Sequence, residues 1–409
     1  MNRRVRKVVD NFRTGAVVLC GAGCLCVAGC GGGGGDTGQT AGSVAGAGSG
    51  STVVQGRGTL AWSTTTSAWP RMAAAAVVLV ARTGGSDGVV SASYATRDGS
   101  AVAGRDYTAA SGTLTWGDKD ASPRSVTVLL GSTTAATGQP GFDVVLTSAT
   151  GGVAFDPANR TTVTLDDALL APASLSQFDF SKWKLDLPVD RNGGTGGAGG
   201  IEIAAQTITS AQLLRSFADP YFYADKQGRL IFTAPANGAV TSPGSGSDHT
   251  RSELREVFSG PGADVNGNWT GSGRLTGTCQ VRAVAASSGT TIISQLRGQA
   301  HDLALLVYRA ATHDVAVDIY STNTTGSTHT LTPLATNVNL GDTITYALAL
   351  NGSLLSATVN GASRSVTVDS SWVGAPLYFK LGAYSAAPNT GNAAADVTMV
   401  AYSAFAVTH

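Results

Sequence analysis

The chain carries almost no cysteine outside its first 30 residues: Cys20, Cys24, Cys26 and Cys30 lie there, and Cys279 stands alone beyond them. A lone thiol cannot build a disulfide framework, so a packed core must hold the fold, with Cys279 expected as a small buried hydrophobe on a strand. The four early cysteines sit in the apolar part of a targeting segment and are not read as a metal cluster; no metal site or cofactor is expected. Neither charge is in excess, with 27 basic against 27 acidic residues, which argues against nucleic acid or a basic membrane-surface role. Helical patterning is confined to residues 210–217. No strand offers closely spaced carboxylates able to flank a glycosidic bond apart from Glu253 and Glu256, which an extended chain turns to opposite faces. Glycine is plentiful instead, at 53 of 409 residues, and 43% of the chain is hydrophobic, a balance suited to strands and turns around real cores.

At about 150 residues per domain, the length predicts two or three units. Residues 1–29 read as a signal peptide, with Arg3, Arg4, Arg6, Lys7 and Arg13 ahead of an apolar run too short to span a bilayer. The run ends in Val27-Ala28-Gly29-Cys30, which resembles the lipobox of bacterial lipoproteins. That resemblance implies a lipidated Cys30 as mature N-terminus and the lipid as the sole membrane attachment. It places the protein in the outer membrane or at the cell surface or periplasm of a bacterium, and Gly31 rather than aspartate after the cysteine favours the outer membrane. Residues 30–51 are a Gly/Ser-rich tether, too poor in large apolar side chains to fold.

Residues 52–167 alternate in short β-rich runs separated by turns such as Thr83-Gly84-Gly85-Ser86 and Arg97-Asp98-Gly99, as a small β-sandwich does. Tyr94-Ala95-Thr96-Arg97-Asp98-Gly99-Ser100-Ala101, Asp106-Tyr107 and Ser111-Gly112-Thr113-Leu114-Thr115-Trp116 resemble a Calx-beta domain, an Ig-like sandwich. Some members bind calcium through clustered carboxylates. Here Gln139-Pro140-Gly141 precedes Phe142 without the usual acidic residues, so a spacer or adhesive role is expected. After a linker at 168–177, residues 178–409 again read as strands, with Asn351-Gly352 and Asn360-Gly361 hairpin turns. The expectation is an all-β chain: a small sandwich, then a larger jelly roll of the concanavalin-like type, the latter able to fold and act alone.

Three stretches of that second unit carry the chemistry. A period of two puts Arg251, Glu253 and Arg255 on one strand face, Gln295 and Arg297 on another, and Tyr378, Lys380, Gly382 and Tyr384 on a third. Charged rows of this kind mark either solvent surface or the floor of a polar cleft. If the strands are neighbours, the cleft suits an anionic ligand and proton transfer.

RSELR at 251–255, QLR at 295–297 and YFKLGAY at 378–384, with the opening FDFSKWKLDLP at 178–188, resemble polysaccharide lyase family 7, the alginate lyases. The resemblance implies β-elimination on a polyuronate, alginate above all, mannuronate-rich chains among the candidates, and a monomer acting on an anionic polysaccharide. Elimination removes the C5 proton beside a carboxylate and expels the C4 oxygen, so donors that neutralise the carboxylate in the transition state lower the barrier. Arg251 and Gln295 are the candidates for that role. Arg255 and Lys380 would hold neighbouring sugar carboxylates, and Glu253 and Tyr378 line the substrate site. Tyr384 is the implied proton-transfer residue; its phenol has an unperturbed pKa of about 10, and surrounding cations are expected to favour its ionisation.

The middle motif departs from the family where a histidine is expected. Arg297 occupies that place and cannot act as a base. Three readings stay open. Tyr384 acts as both base and acid; or His301 substitutes, about 13 Å or more from Gln295 if the strand continues; or the groove has become a non-catalytic polyuronate-binding surface of a lipoprotein.

Overall fold

The computed structural model describes residues 56–131, 138–166, 177–190, 204–215, 217–242, 249–260, 263–266, 269–298, 300–324, 326–388 and 394–409, and the structural statements below concern these. The signal peptide, Cys30 and the tether lie outside them. No described helix is long and apolar enough to cross a membrane.

The N-terminal unit is a two-sheet sandwich. Its four-stranded sheet runs Arg124–Leu129, Ala75–Thr83, Thr59–Trp62, Ala154–Phe155, and its five-stranded sheet runs Thr66–Pro70, Arg160–Asp166, Gly141–Thr150, Val90–Arg97, Ser111–Trp116. Inward residues alternate with outward ones along the strands: Leu60, Val78, Val80, Trp116, Val144 and Leu165 are buried, and Tyr107 stacks on Phe142 at 4.0 Å. Its aspartates are engaged from within the protein. Arg105 pairs with Asp106 at 2.7 Å, Gln139 donates to Asp166 at 3.0 Å, and the phenol of Tyr107 donates to Asp98 at 2.6 Å.

The C-terminal unit is a second, larger two-sheet β-sandwich, the jelly roll expected. The outer sheet runs Phe222–Ala224, Leu230–Pro235, Val397–Thr408, Ser272–Ala283, Thr343–Asn351, Leu354–Val359, Ala362–Thr367. The cleft sheet runs Ala205–Ile208, Trp183–Asp190, His249–Gly260, Tyr378–Pro388, Thr290–Arg297, Asp302–Arg309, Asp314–Tyr320, His329–Thr336. Trp183, Leu185, Leu254, Leu296, Leu306, Phe379 and Leu381 point between the sheets into a core shared with Phe222, Phe232, Leu275, Val400 and Tyr402. Because side chains alternate, the intervening residues of the cleft sheet face away from that core. Cys279 is buried on its strand, and burial pushes its thiol up to about 12. The only helix near residues 210–217 is a single turn, Ser210–Leu213, started by a capping box between Thr209 and Gln212.

The two units share apolar surface. Tyr223, Ile231, Val397, Met399 and Ala401, on the outer face of the outer sheet, belong to the same buried cluster as the sandwich residues Leu60, Val78 and Val128. The strands Phe222–Ala224 and Leu230–Pro235 are consequently buried on both faces. Lys226 pairs with Asp166 across the boundary, and the amide of Ala74 donates to the carbonyl of Pro220 at 2.9 Å. A C-terminal unit excised at the linker would therefore expose an apolar face that the intact chain covers.

Candidate active site

Strand register brings the three sequence stretches together. Arg251 lies opposite Tyr384 and Arg255 opposite Lys380, while Gln295 and Arg297 lie opposite Lys380 and Tyr378 from the other side. The Tyr378–Pro388 strand is thus the middle of the site, flanked by the arginine and glutamine strands. Glu253 faces Gly382, where φ is 148° and a Cβ would stand 2.4 Å from the carbonyl oxygen of Ser252. Only glycine allows the two strands this approach.

Glu253 is the hub. Its carboxylate is 1% exposed, accepts a short hydrogen bond from Nε2 of Gln295 and another from Nζ of Lys380 at 3.2 Å, and lies 3.5 Å from Nη1 of Arg251. Gln295, Lys380 and Arg251 are themselves 2%, 4% and 7% exposed. Charge pairing and hydrogen bonds offset the cost of burying these groups together. Burial pushes the Lys380 ammonium down to about 8 while Glu253 pulls the other way. Lys380 therefore braces Glu253, rather than projecting to a neighbouring sugar.

Tyr384 sits under a cation. The Arg251 guanidinium lies 4.2 Å from its ring centroid. The expectation that cations would favour phenolate is reversed in balance: burial raises the phenol above its ordinary value, and Arg251 only partly counters it. Tyr384 is a proton donor in its resting state.

The remaining predicted residues divide. Arg255 stacks over Tyr378 at 4.6 Å and donates to its hydroxyl at 2.6 Å, so these two form one unit at the edge of the cleft. Arg297 donates from Nη1 to Asp302 at 2.8 Å across the turn that joins its strand to the next. It is thus half of an ion pair whose anion comes from its own hairpin. His301 stacks on Tyr320 at 6.0 Å, and Tyr320 on His329 at 5.1 Å, so His301 belongs to an aromatic ladder with those two side chains. Glu256 faces the opposite way from Glu253 and accepts from the Trp269 indole at 3.1 Å, the Phe379 amide at 2.9 Å and His409 at 2.5 Å. Glu253 and Glu256 therefore do not share the cleft, and that pair gives no basis for hydrolysis by an acid and base.

Three residues escaped the sequence reading. Lys184 and Asp186 lie opposite Arg255 and Glu253 and extend the polar row by one strand. The alternation in Trp183-Lys184-Leu185-Asp186-Leu187 carried that signal. His249 is the third. Its ring is perpendicular to that of Tyr384 with centroids 5.8 Å apart, and its Nδ1 lies 3.1 Å from the carbonyl oxygen of Ala387. It has the same parity as Arg251, Glu253 and Arg255, and a period of two carried backward from the motif would have found it. Among the described residues no three His, Cys, Asp or Glu side chains gather as a metal site would.

Comparison with known proteins identifies the families of both domains. The alginate lyase family model matches residues 178–409, and the Calx-beta domain model matches residues 57–168. No curated protein matches the chain. Among solved structures, alginate lyase A1-II', a member of polysaccharide lyase family 7, is 27% identical, with 59% of this chain and 99% of that one covered and a TM-score of 0.48. An alginate lyase from Pseudomonas aeruginosa is 26% identical, covering 57% of this chain and 100% of its own at a TM-score of 0.49. One from Klebsiella pneumoniae is 22% identical, covering 59% and 99% at a TM-score of 0.50, and shares the fold. With more than half of its length matched by the family model, the chain belongs to the alginate lyase family, its lyase domain preceded by a Calx-beta domain.

Proposed function

We propose that the cleft cleaves alginate by β-elimination, with Arg251 and Gln295 neutralising the carboxylate of the sugar that loses its C5 proton and Tyr384 giving a proton to the departing C4 oxygen. The supporting observation is the buried hub at Glu253, which holds Gln295, Arg251 and Lys380 in fixed directions beside a protonated phenol. Donors held in place before the reaction stabilise developing charge without reorganising, which is how such sites lower a barrier dominated by charge. The row Lys184, Arg251, Arg255 and Lys380 supplies four cations against the two carboxylates Asp186 and Glu253, so the floor retains positive charge for a polyanion. Solved relatives bound to substrate (GGMG) and product (GGG) support an oligosaccharide of this polymer as the ligand.

Mannuronate-rich alginate is the proposed preferred form, because elimination there can be served by groups on one side of the sugar. Purified alginate, polymannuronate and polyguluronate, each followed by the absorbance of the unsaturated uronate product, test this. Product from polymannuronate at the highest kcat/KM is expected; tight binding to alginate with no absorbance change would make the cleft a binding surface and end the lyase reading.

The lipobox-like Val27-Ala28-Gly29-Cys30 supports a further proposal, that the enzyme acts as a lipid-anchored monomer at the bacterial cell surface, with residues 31–51 as tether. Cys30→Ser should shift the protein from the membrane fraction to the soluble one. Unchanged membrane partitioning of that variant would remove the anchor from the account.

A further inference from the structure

Elimination at a uronate requires two proton events, and the geometry above accounts for one. Removal of the C5 proton needs a group with an available electron pair. Among the described cleft residues, Arg251, Arg255 and Arg297 cannot supply one, and the Gln295 carboxamide is not basic. Lys380 spends a proton on Glu253, Glu253 is buried beneath its two donors, and Asp186 is 4% exposed and accepts from the Thr207 hydroxyl at 2.8 Å, one strand further from Tyr384 than Arg251 is. Tyr384 carries its proton, and burial keeps it there.

His249 meets the requirement by position. It lies on the strand that carries Arg251, two residues earlier, and its imidazole packs perpendicular to the Tyr384 ring at a centroid distance of 5.8 Å, within the range of direct ring contact. The carbonyl of Ala387 stands 3.1 Å from Nδ1. A carbonyl oxygen only accepts, so Nδ1 carries the hydrogen, and in the neutral imidazole the electron pair is then on Nε2. A ring whose tautomer is set by a backbone carbonyl is oriented as a base should be. The Arg251 guanidinium lies against the same Tyr384 ring, so an electrostatic clamp, a proton donor and a candidate base meet in one patch.

Building on the β-elimination reading, we propose that His249 is the catalytic base of this lyase, taking the C5 proton on Nε2 while Tyr384 protonates the leaving C4 oxygen. The electron pair of the C5–H bond becomes the second bond between C4 and C5. The C4–O4 bond breaks with its pair going to oxygen, which collects the phenol proton. His249 ends as imidazolium and Tyr384 as phenolate, and passage of one proton from the first to the second, directly or through water, restores both. No oxidant, reductant or water is consumed. Arg297 stands at the place in the QLR motif where the family resemblance implied a histidine; here a different strand supplies the imidazole, from the other side of Tyr384.

The test is His249→Asn, whose side-chain amide can still donate to the Ala387 carbonyl but offers no basic nitrogen. On alginate, kcat should fall by about 10²-fold or more, the usual contribution of a positioned general base, with KM within about threefold of wild type and the melting temperature unchanged. His249→Gln is assayed in the same way should the first variant not fold. A kcat within about threefold of wild type in a folded variant overturns the proposal and returns both proton transfers to Tyr384. A rise in KM with kcat intact also overturns it, since that would make His249 a binding residue. Failure of the β-elimination reading is visible separately, as wild-type protein that forms no unsaturated product at all.

Discussion

Tyr384→Phe is expected to lower alginate turnover by about 10²- to 10⁴-fold, the range lost when a general acid or base is removed, while leaving substrate affinity and stability close to wild type. The separation follows from what the side chain touches. Its ring carries the Arg251 guanidinium on one face and meets the His249 imidazole, and phenylalanine keeps both ring contacts. Only the hydroxyl is lost, and with it the proton that the departing C4 oxygen needs. Burial holds that proton in place at neutral pH, so the residue is poised as an acid before substrate arrives. Product absorbance on alginate and equilibrium binding of an unsaturated trisaccharide give the two readouts. Retention of more than a tenth of wild-type kcat would show that the phenol is not the proton donor.

How much of this site the sequence revealed depends on the range of the interaction that decides it. Alternation is local, and it placed Arg251, Glu253 and Arg255, and likewise Tyr378, Lys380 and Tyr384, on common faces, as the register shows. Partner choice is not local. Lys380 and Gln295 share the cleft face by alternation, yet what fixes their direction is a bond from each to Glu253, because a carboxylate excluded from water must be matched by donors. Arg297 fills the place of the expected histidine, and its partner is set by the fold: Asp302, five residues on across a hairpin turn, takes its Nη1. The ionisation of Tyr384 went the same way: cations can be counted from sequence, but the burial that outweighs them depends on how the sheet is covered.

The domain boundary has a similar lesson. Phe222-Tyr223-Ala224 and Leu230-Ile231-Phe232 are apolar at every position, a pattern that belongs to strands covered on both sides. The covering partner is the Calx-beta sandwich, some of whose strands lie more than 100 residues earlier in the chain. By contrast His329–Thr336 is polar and contains Pro333, so it gave no strand signal. It lies at the edge of the cleft sheet, where proline and exposed polar residues are tolerated.

Glu253→Ala should be the variant that damages stability and activity together. Removing the carboxylate leaves Lys380 and Arg251 inside the protein without the anion they share, and breaking a buried ion pair from one side costs about 3–5 kcal/mol. Lys380, already pushed down to about 8 with Glu253 pulling upward, would move further down and lose its charge more readily. Gln295 would lose the acceptor that fixes its carboxamide, and loss of one preorganised donor lowers turnover by about 10²-fold or more. Urea unfolding measures the first effect and product absorbance the second. A companion variant, Glu253→Leu with Lys380→Met, separates them: exchanging both partners for apolar side chains removes the unpaired charge, so stability should return toward wild type. Turnover should not return, because the leucine cannot hold Gln295. If Glu253→Ala instead unfolds within about 1 kcal/mol of wild type, the ordinary size of an exposed ion pair, the carboxylate is not the hub that positions this site. Recovery of activity in the double variant would likewise show that Gln295 is held by something other than Glu253.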